Sequence, residues 1–172
     1  MPRVLFVLAS RDFRDEEYLE PRRAFDAAGF EVTVASGTVG PIRGALGTWV
    51  RSERLVSQVR ASDFDAIVFA GGDGARELLD SRAAHRLCRD AVSHGRVLAA
   101  ICLAPAILAR AGVLRDIAAT CHPDARPDLA AGGAVVRGEP LAVSGHIVTA
   151  DCPASAAQFA AAVVGLVDPR RK

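Results

Sequence analysis

Apolar residues in this chain gather into short runs separated by amphipathic stretches, and that pattern predicts the fold. Residues 4–9, 31–35, 65–70 and 96–100 are β-rich runs. The first, third and fourth are almost continuously apolar, as strands covered on both faces are. Residues 15–28 and 83–94 carry helical patterning, with Gly29 and Gly95 placed to stop the two helices as C-terminal caps. Strand and helix alternating in this order predict a parallel sheet with right-handed crossovers, the doubly wound α/β architecture with helices on both faces.

Further along, residues 104–111 and 123–131 read as helices. Residues 135–136, 141–144 and 147–149 read as short strands, with Gly145-His146 as a turn. An alanine-rich stretch, 153–167, predicts a closing helix with proline in its first turn. Between residues 37 and 47 lie four glycines and a proline, which predict a loop leading to one extra strand at 48–51.

Length and charge narrow the class. The 172 residues are 51% hydrophobic, enough for one well-buried domain spanning 1–172 and too few for two ordinary ones. A formal net charge of +1, with a basic run only at Arg170-Arg171-Lys172, gives no electrostatic footprint for nucleic acid. The short apolar run after Met1-Pro2-Arg3 matches neither a signal peptide nor a membrane span, so a cytoplasmic protein is expected. Cysteines 88, 102, 121 and 152 lack both CxxC spacing and the density of a disulfide scaffold, and reduced thiols are expected.

Candidate chemistry is sought at the carboxyl ends of the strands, where open α/β sheets bind ligands. Cys102 follows the run Val97-Leu98-Ala99-Ala100-Ile101 and enters a helix at once, with small residues at Ala100 and Ala104. This is the thiol version of a nucleophile elbow, a tight strand-to-helix turn that tolerates only small neighbours. Amides of the following helix are expected to favour the thiolate. A buried structural cysteine at a strand end is the alternative.

After the first strand, Asp15 and Glu16 suit a helix N-terminus, whereas Glu17 lies deeper. Pro21 follows four residues later, and a kink there would aim Glu17 into the crevice. Gly71-Gly72 after the third strand can bring amides close to an oxyanion, or can be a plain turn. His122, after another strand-like segment, is a candidate proton shuttle for Cys102. Its neighbour Cys121 is a candidate resolving thiol should Cys102 be oxidised. His85, His94 and His146 read as surface or cap residues. Cys121, His122, Asp151 and Cys152 match no zinc spacing, so no metal is expected.

Glu17-x-x-x-Pro21, Gly71-Gly72, Ala99-Ala100-Ile101-Cys102-x-x-Pro105 and His122-Pro123, in that order, resemble the ThiJ/PfpI superfamily over nearly the whole chain. The resemblance implies a mostly parallel sheet sandwiched by helices, similar to flavodoxin-like and class I glutamine amidotransferase folds, and a homodimer without a cofactor. It implies Cys102 as nucleophile, Glu17 as the acid hydrogen-bonded to its sulfur, and Gly72 with the Leu103 amide as oxyanion site. The superfamily includes deglycases, glutathione-independent glyoxalases, stress chaperones and intracellular peptidases. The peptidase branch carries a histidine where this chain has Leu103, and Cys121-His122-Pro123 followed by Gly132-Gly133 looks like the deglycase branch. That branch has an arginine where this chain has Asp151. The resulting expectation is an enzyme converting methylglyoxal-like α-oxoaldehydes to hydroxy acids, with small aldehydes or glycated proteins as partners. A redox-sensing or chaperone role for an oxidisable Cys102, and a peptidase or amidase, are the alternatives.

Overall fold

The computed structural model describes residues 1–171, and of the basic terminus Lys172 lies outside the described residues. In chain order the strands and helices are β1 (Arg3–Val7), β2 (Arg11–Phe13), α1 (Asp15–Ala27), β3 (Glu31–Ser36), β4 (Gly40–Gly44), β5 (Trp49–Ser52), β6 (Arg54–Leu55), β7 (Ala66–Phe69), α2 (Arg82–Ser93), β8 (Val97–Ile101), α3 (Pro105–Arg110), β9 (Ala118–Ala119), α4 (Arg126–Ala131), β10 (Val135–Val136), β11 (Leu141–Ser144), β12 (Ile147–Ala150) and α5 (Ala156–Val167). A seven-stranded sheet runs β11-β12-β8-β7-β1-β3-β6, parallel throughout except for β11 against β12. The mostly parallel α/β architecture expected from the alternating pattern is therefore present.

Side-chain alternation divides the core into two layers. Val4, Phe6, Val68, Ala99 and Ile101 pack toward α1 and α5 with Phe25 and Phe159. Leu5, Val7, Ile67, Phe69 and Leu98 pack toward α2 and α3 with Leu87, Ile107 and Leu108. All of these side chains are fully buried, and each large one contributes about 1.5–3 kcal/mol relative to exposure. Strands buried on both faces need apolar residues at every position, which is why β1, β7 and β8 read as continuous apolar runs.

Several expectations are corrected. The stretch 37–47 is not all loop: β4 pairs antiparallel with β5 and parallel with β2, forming a small separate sheet. Asp15 holds that hairpin, its two carboxylate oxygens accepting the amides of Leu46 and Thr48 at 2.8 Å each. Burial opposes the Asp15 charge, but these hydrogen bonds outweigh it and hold its carboxyl below the usual range. Helix α1 runs unbroken through Pro21, whose missing N–H leaves the Glu17 carbonyl without an i+4 donor. The expected helices at 123–131 and 153–167 each begin as a 3-10 turn, Pro123–Ala125 and Pro153–Ser155, before α4 and α5.

Candidate active site

Chain sterics build the site at the carboxyl edge of the large sheet. Strand β8 ends at Ile101, and Cys102 takes φ +65°, a left-handed conformation that costs a non-glycine residue about 1–2 kcal/mol. Its own backbone groups hold it there. The Cys102 amide donates to the Ala150 carbonyl at 2.9 Å, and its carbonyl accepts the His122 amide at 2.9 Å. The chain then turns through Ala104, whose amide bonds back to Ile101, and enters α3 at Pro105. Cys102 is 7% exposed at the floor of the turn.

Glu17 reaches this thiol from α1 and is fully buried. Its Oε2 accepts the Gly71 amide at 2.7 Å, while Oε1, equally buried, has no conventional hydrogen-bond partner. Burial pushes the Glu17 carboxyl up to about 7; the Gly71 amide, the Cys102 thiol and the Arg14 charge only partly offset it. Burial likewise raises Cys102, and the Glu17 charge raises it further. The amides of Leu103 and Gly72 point at the sulfur and pull the other way, but they are outweighed. The helix-start amides favour the thiolate, as expected, but burial and the Glu17 charge outweigh them. The thiol and carboxyl form a coupled pair in which ionisation of one suppresses the other.

Glycine is required at both oxyanion candidates. A Cβ on Gly71 would lie 2.7 Å from the Glu17 Oε2 and the Ile101 carbonyl, and 2.9 Å from the Cys102 Cβ. Gly72 has φ +91°, and a Cβ there would meet the Arg14 amide at 2.5 Å. The close approach that lets the Gly72 amide reach the sulfur depends on that bare backbone.

Around these groups opens a cleft of ≈ 360 Å³ lined by Arg14, Glu17, Gly72, Asp73, Cys102, Leu103, His122, Asp124 and Pro153. A larger hollow of ≈ 500 Å³ between α1 and β5 contains no nucleophile. His122 is partly exposed, and its Nδ1 accepts the Asp124 amide at 3.1 Å as the cap of the turn that follows. With Nδ1 committed, the neutral ring carries its proton on Nε2 and offers a donor, not a free base. The other three histidines bond backbone carbonyls: His85 to Leu79, His94 to Asp90 and His146 to Gly95.

All six sequence candidates (Glu17, Gly71, Gly72, Cys102, Leu103 and His122) thus meet at one strand edge. The reading missed Arg14. Its guanidinium holds Glu16 at 2.7 and 3.2 Å, its amide donates to the Gly71 carbonyl at 3.0 Å, and it is the cation that acts on both Glu17 and Cys102. The signal was available, because Arg14 follows the first strand at the carboxyl edge where the crevice was sought. Among the described residues no three of His, Cys, Asp and Glu are grouped to hold a metal ion. No helix there is long and apolar enough to cross a membrane.

A family model described as the DJ-1/PfpI family matches residues 2–166. The chain belongs to the DJ-1/PfpI family. Among relatives it is 36% identical over 169 residues to the uncharacterised protein MJ0967 of Methanocaldococcus jannaschii, covering 96% of this chain and 82% of that one. It is 32% identical over 152 residues to the deglycase PH1704 of Pyrococcus horikoshii, covering 88% and 91%. It is 24% identical over 168 residues to the glutathione-independent glyoxalase DJR-1.2 of Caenorhabditis elegans, covering 98% and 90%. A ThiJ/PfpI domain protein from Brachyspira murdochii superposes with a TM-score of 0.94 at 36% identity, covering 96% of this chain and 95% of that chain. The DJ-1/PfpI family thus contains members named for deglycase and glyoxalase activity, and the fold is theirs.

Proposed function

We propose that this member of the DJ-1/PfpI family is a cysteine-dependent enzyme that converts small α-oxoaldehydes such as methylglyoxal to 2-hydroxy acids without glutathione. The observation that carries the reading is the buried Glu17, whose Oε1 lacks a conventional partner and whose carboxyl is raised to about 7 beside Cys102. A carboxyl tuned to neutrality is suited to taking a proton from a thiol and returning it.

In this mechanism the Cys102 sulfur adds to the aldehyde carbon as its proton passes to Glu17, giving a hemithioacetal oxyanion held by the Leu103 and Gly72 amides. Glu17 returns the proton to that oxygen. The carboxylate so regenerated takes the hydrogen from the former aldehyde carbon and delivers it to the adjacent carbonyl carbon. His122 Nε2–H steadies the oxygen there. The hydroxyl proton on the former aldehyde oxygen passes to that neighbouring oxygen, so carbonyl and alcohol exchange places and a thioester is left on Cys102. Water hydrolyses it to the hydroxy acid and the free thiol.

Glycated proteins as further substrates belong to the same proposal, supported by relatives named deglycases, and a homodimer and a cytoplasmic setting are proposed with it from the resemblance and the sequence. The test is enzymatic assay of lactate formed from methylglyoxal, without glutathione or added metal, comparing the parent with Cys102→Ala. Lactate from the parent alone supports the reading, and equal yields from both overturn it.

A further inference from the structure

We propose that Cys152 is the resolving thiol for Cys102, closing an intramolecular disulfide after a hydroperoxide oxidises the nucleophile. The proposal rests on the reading of Cys102 as a reactive thiol and adds a modification site to it.

Two observations bring Cys102 and Cys152 to neighbouring strand ends on one face of the sheet, and a third gives Cys152 access. The first is register. Ala150 of β12 lies opposite Ile101 of β8, and the Cys102 amide donates to the Ala150 carbonyl at 2.9 Å. The chain stays extended beyond β12, since the Asp151 amide still bonds the Pro140 carbonyl and Cys152 has φ −158° and ψ 170°. The paired ladder ends at Ala150 and Ile101, with the Cys102 carbonyl taken by the His122 amide. An ideal continuation of strands about 4.8 Å apart, rising about 3.3 Å per residue, would bring the two Cα atoms to about 6 Å, inside the range of about 4.4–6.8 Å that disulfides span.

The second is face. Val148 and Ala150 pack in the α1/α5 layer together with Cys102, so alternation sends the Cys152 side chain the same way. Cys121, the resolving candidate of the sequence reading, packs in the opposite layer with Leu129 and Ala119, and burial pushes its thiol up to about 11. The third is access. Pro153, the next residue, lines the cleft over Cys102, and of the four cysteines Cys152 alone is not buried. Ser155 Oγ donates its proton to Asp151 at 2.7 Å, so at 3.7 Å it can only accept from the Cys152 thiol. The thiol is held by one weak contact that a rotation about χ1 releases.

The chemistry balances with a hydroperoxide as the oxidant. The Cys102 sulfur attacks the terminal peroxide oxygen, the O–O bond breaks, and the products are Cys102 sulfenic acid and an alcohol or water. The Cys152 sulfur then attacks Cys102, the S–O bond breaks, and the departing hydroxide takes the Cys152 proton and leaves as water. One S–S bond forms, the two thiols lose two electrons, and the peroxide has gained them. Disulfide closure also protects Cys102 from the irreversible sulfinic state.

The test treats the full chain with one equivalent of hydrogen peroxide, maps its peptides without reductant, and follows methylglyoxal consumption before and after dithiothreitol. The expected result is an intramolecular Cys102–Cys152 peptide in the parent and in Cys121→Ser, with activity lost on oxidation and fully restored by reductant. Cys152→Ser should match the parent when reduced, yet accumulate Cys102 sulfinic acid and lose activity irreversibly. A Cys102–Cys121 peptide, or sulfinic acid at equal rates in the parent and Cys152→Ser, overturns the resolving role while reduced-state turnover leaves the aldehyde reading standing. Failure of peroxide or iodoacetamide to modify Cys102 in any form overturns both.

Discussion

Glu17 accepts the Gly71 amide through Oε2 at 2.7 Å and keeps a second buried oxygen free of any conventional donor. The Gly71 amide, the Cys102 thiol and the Arg14 charge together do not compensate for burying a full carboxylate, so the folded state holds the Glu17 proton far more tightly than the ordinary value of 4.5. A carboxyl raised in the folded state stabilises most when protonated, and that contribution is lost as pH climbs from the ordinary value through about 7. Above that window the buried charge costs ~3 kcal/mol, since each tenfold change in proton affinity is worth about 1.4 kcal/mol.

Glu17→Gln keeps the acceptor for Gly71 and carries no charge at any pH. The variant should therefore be more stable than the parent at pH 8, by up to ~3 kcal/mol, with the difference shrinking toward pH 5. It should also be inactive, because an amide cannot take the thiol's proton. Calorimetric melts at both pH values check this; a variant less stable at pH 8, or a gap independent of pH, would refute the assignment of Glu17 as a strained buried charge.

Cys102→Ser should abolish lactate formation and leave the melting temperature close to that of the parent, since the hydroxyl fits the same turn but ionises far less readily than a thiol. In the parent, iodoacetamide alkylation of Cys102 should accelerate as pH rises through about 7, when Glu17 becomes able to accept the thiol's proton. A rate that climbs only in the alkaline range would mean that Glu17 does not assist the sulfur.

The parts of this molecule legible in the sequence are those whose physics is local. β1, β7 and β8 announce themselves because strands covered on both faces must be apolar at each position, and the elbow because Ala100 and Ala104 flank a cysteine between strand and helix. The small sheet of β2, β4 and β5 was hidden. β4 holds two glycines and a proline, poor strand formers that pair only because Asp15, some thirty residues away in sequence, fixes the turn at Leu46 and Thr48. The state of the thiol was also hidden, since the helix-start amides are visible in the chain while the desolvation that outweighs them exists only after folding. Arg14 escaped notice because it sits in an acidic run whose dipole role was sufficient explanation for its neighbours.

Gly71→Ala introduces a single methyl that would lie 2.7 Å from the Ile101 carbonyl and 2.9 Å from the Cys102 Cβ, where backbone cannot easily yield. Overpacking of this kind costs about 1–3 kcal/mol, and here it also pushes Glu17 off its amide. Both the melting temperature and kcat should fall. A variant with parental kcat would show that the Glu17–Gly71 contact is dispensable.

His122→Asn separates the two duties of that residue. The asparagine Oδ1 can replace Nδ1 as cap for the Asp124 amide, so folding should be preserved, while the Nε2–H donor disappears. Methylglyoxal turnover should fall roughly 10- to 1000-fold through kcat with little change in stability, by analogy with loss of one donor to a developing oxyanion. Unchanged kcat would remove His122 from the mechanism and leave it a structural cap.

Leu103 supplies the last prediction, because it follows the nucleophile at the position where the resemblance puts a histidine in the peptidase branch. Amide hydrolysis must protonate a leaving amine, and an isobutyl group can neither remove a proton from the thiol nor donate one. His122 Nδ1 is committed to the Asp124 amide as the cap of the next turn, so that nitrogen does not substitute for the missing histidine in the resting geometry. Aldehyde addition has no leaving amine and avoids the requirement. The purified protein should therefore consume methylglyoxal while leaving casein and fluorogenic peptides intact. Peptide cleavage that vanishes in Cys102→Ala would reverse the order of the two readings and make hydrolysis the activity of this cleft.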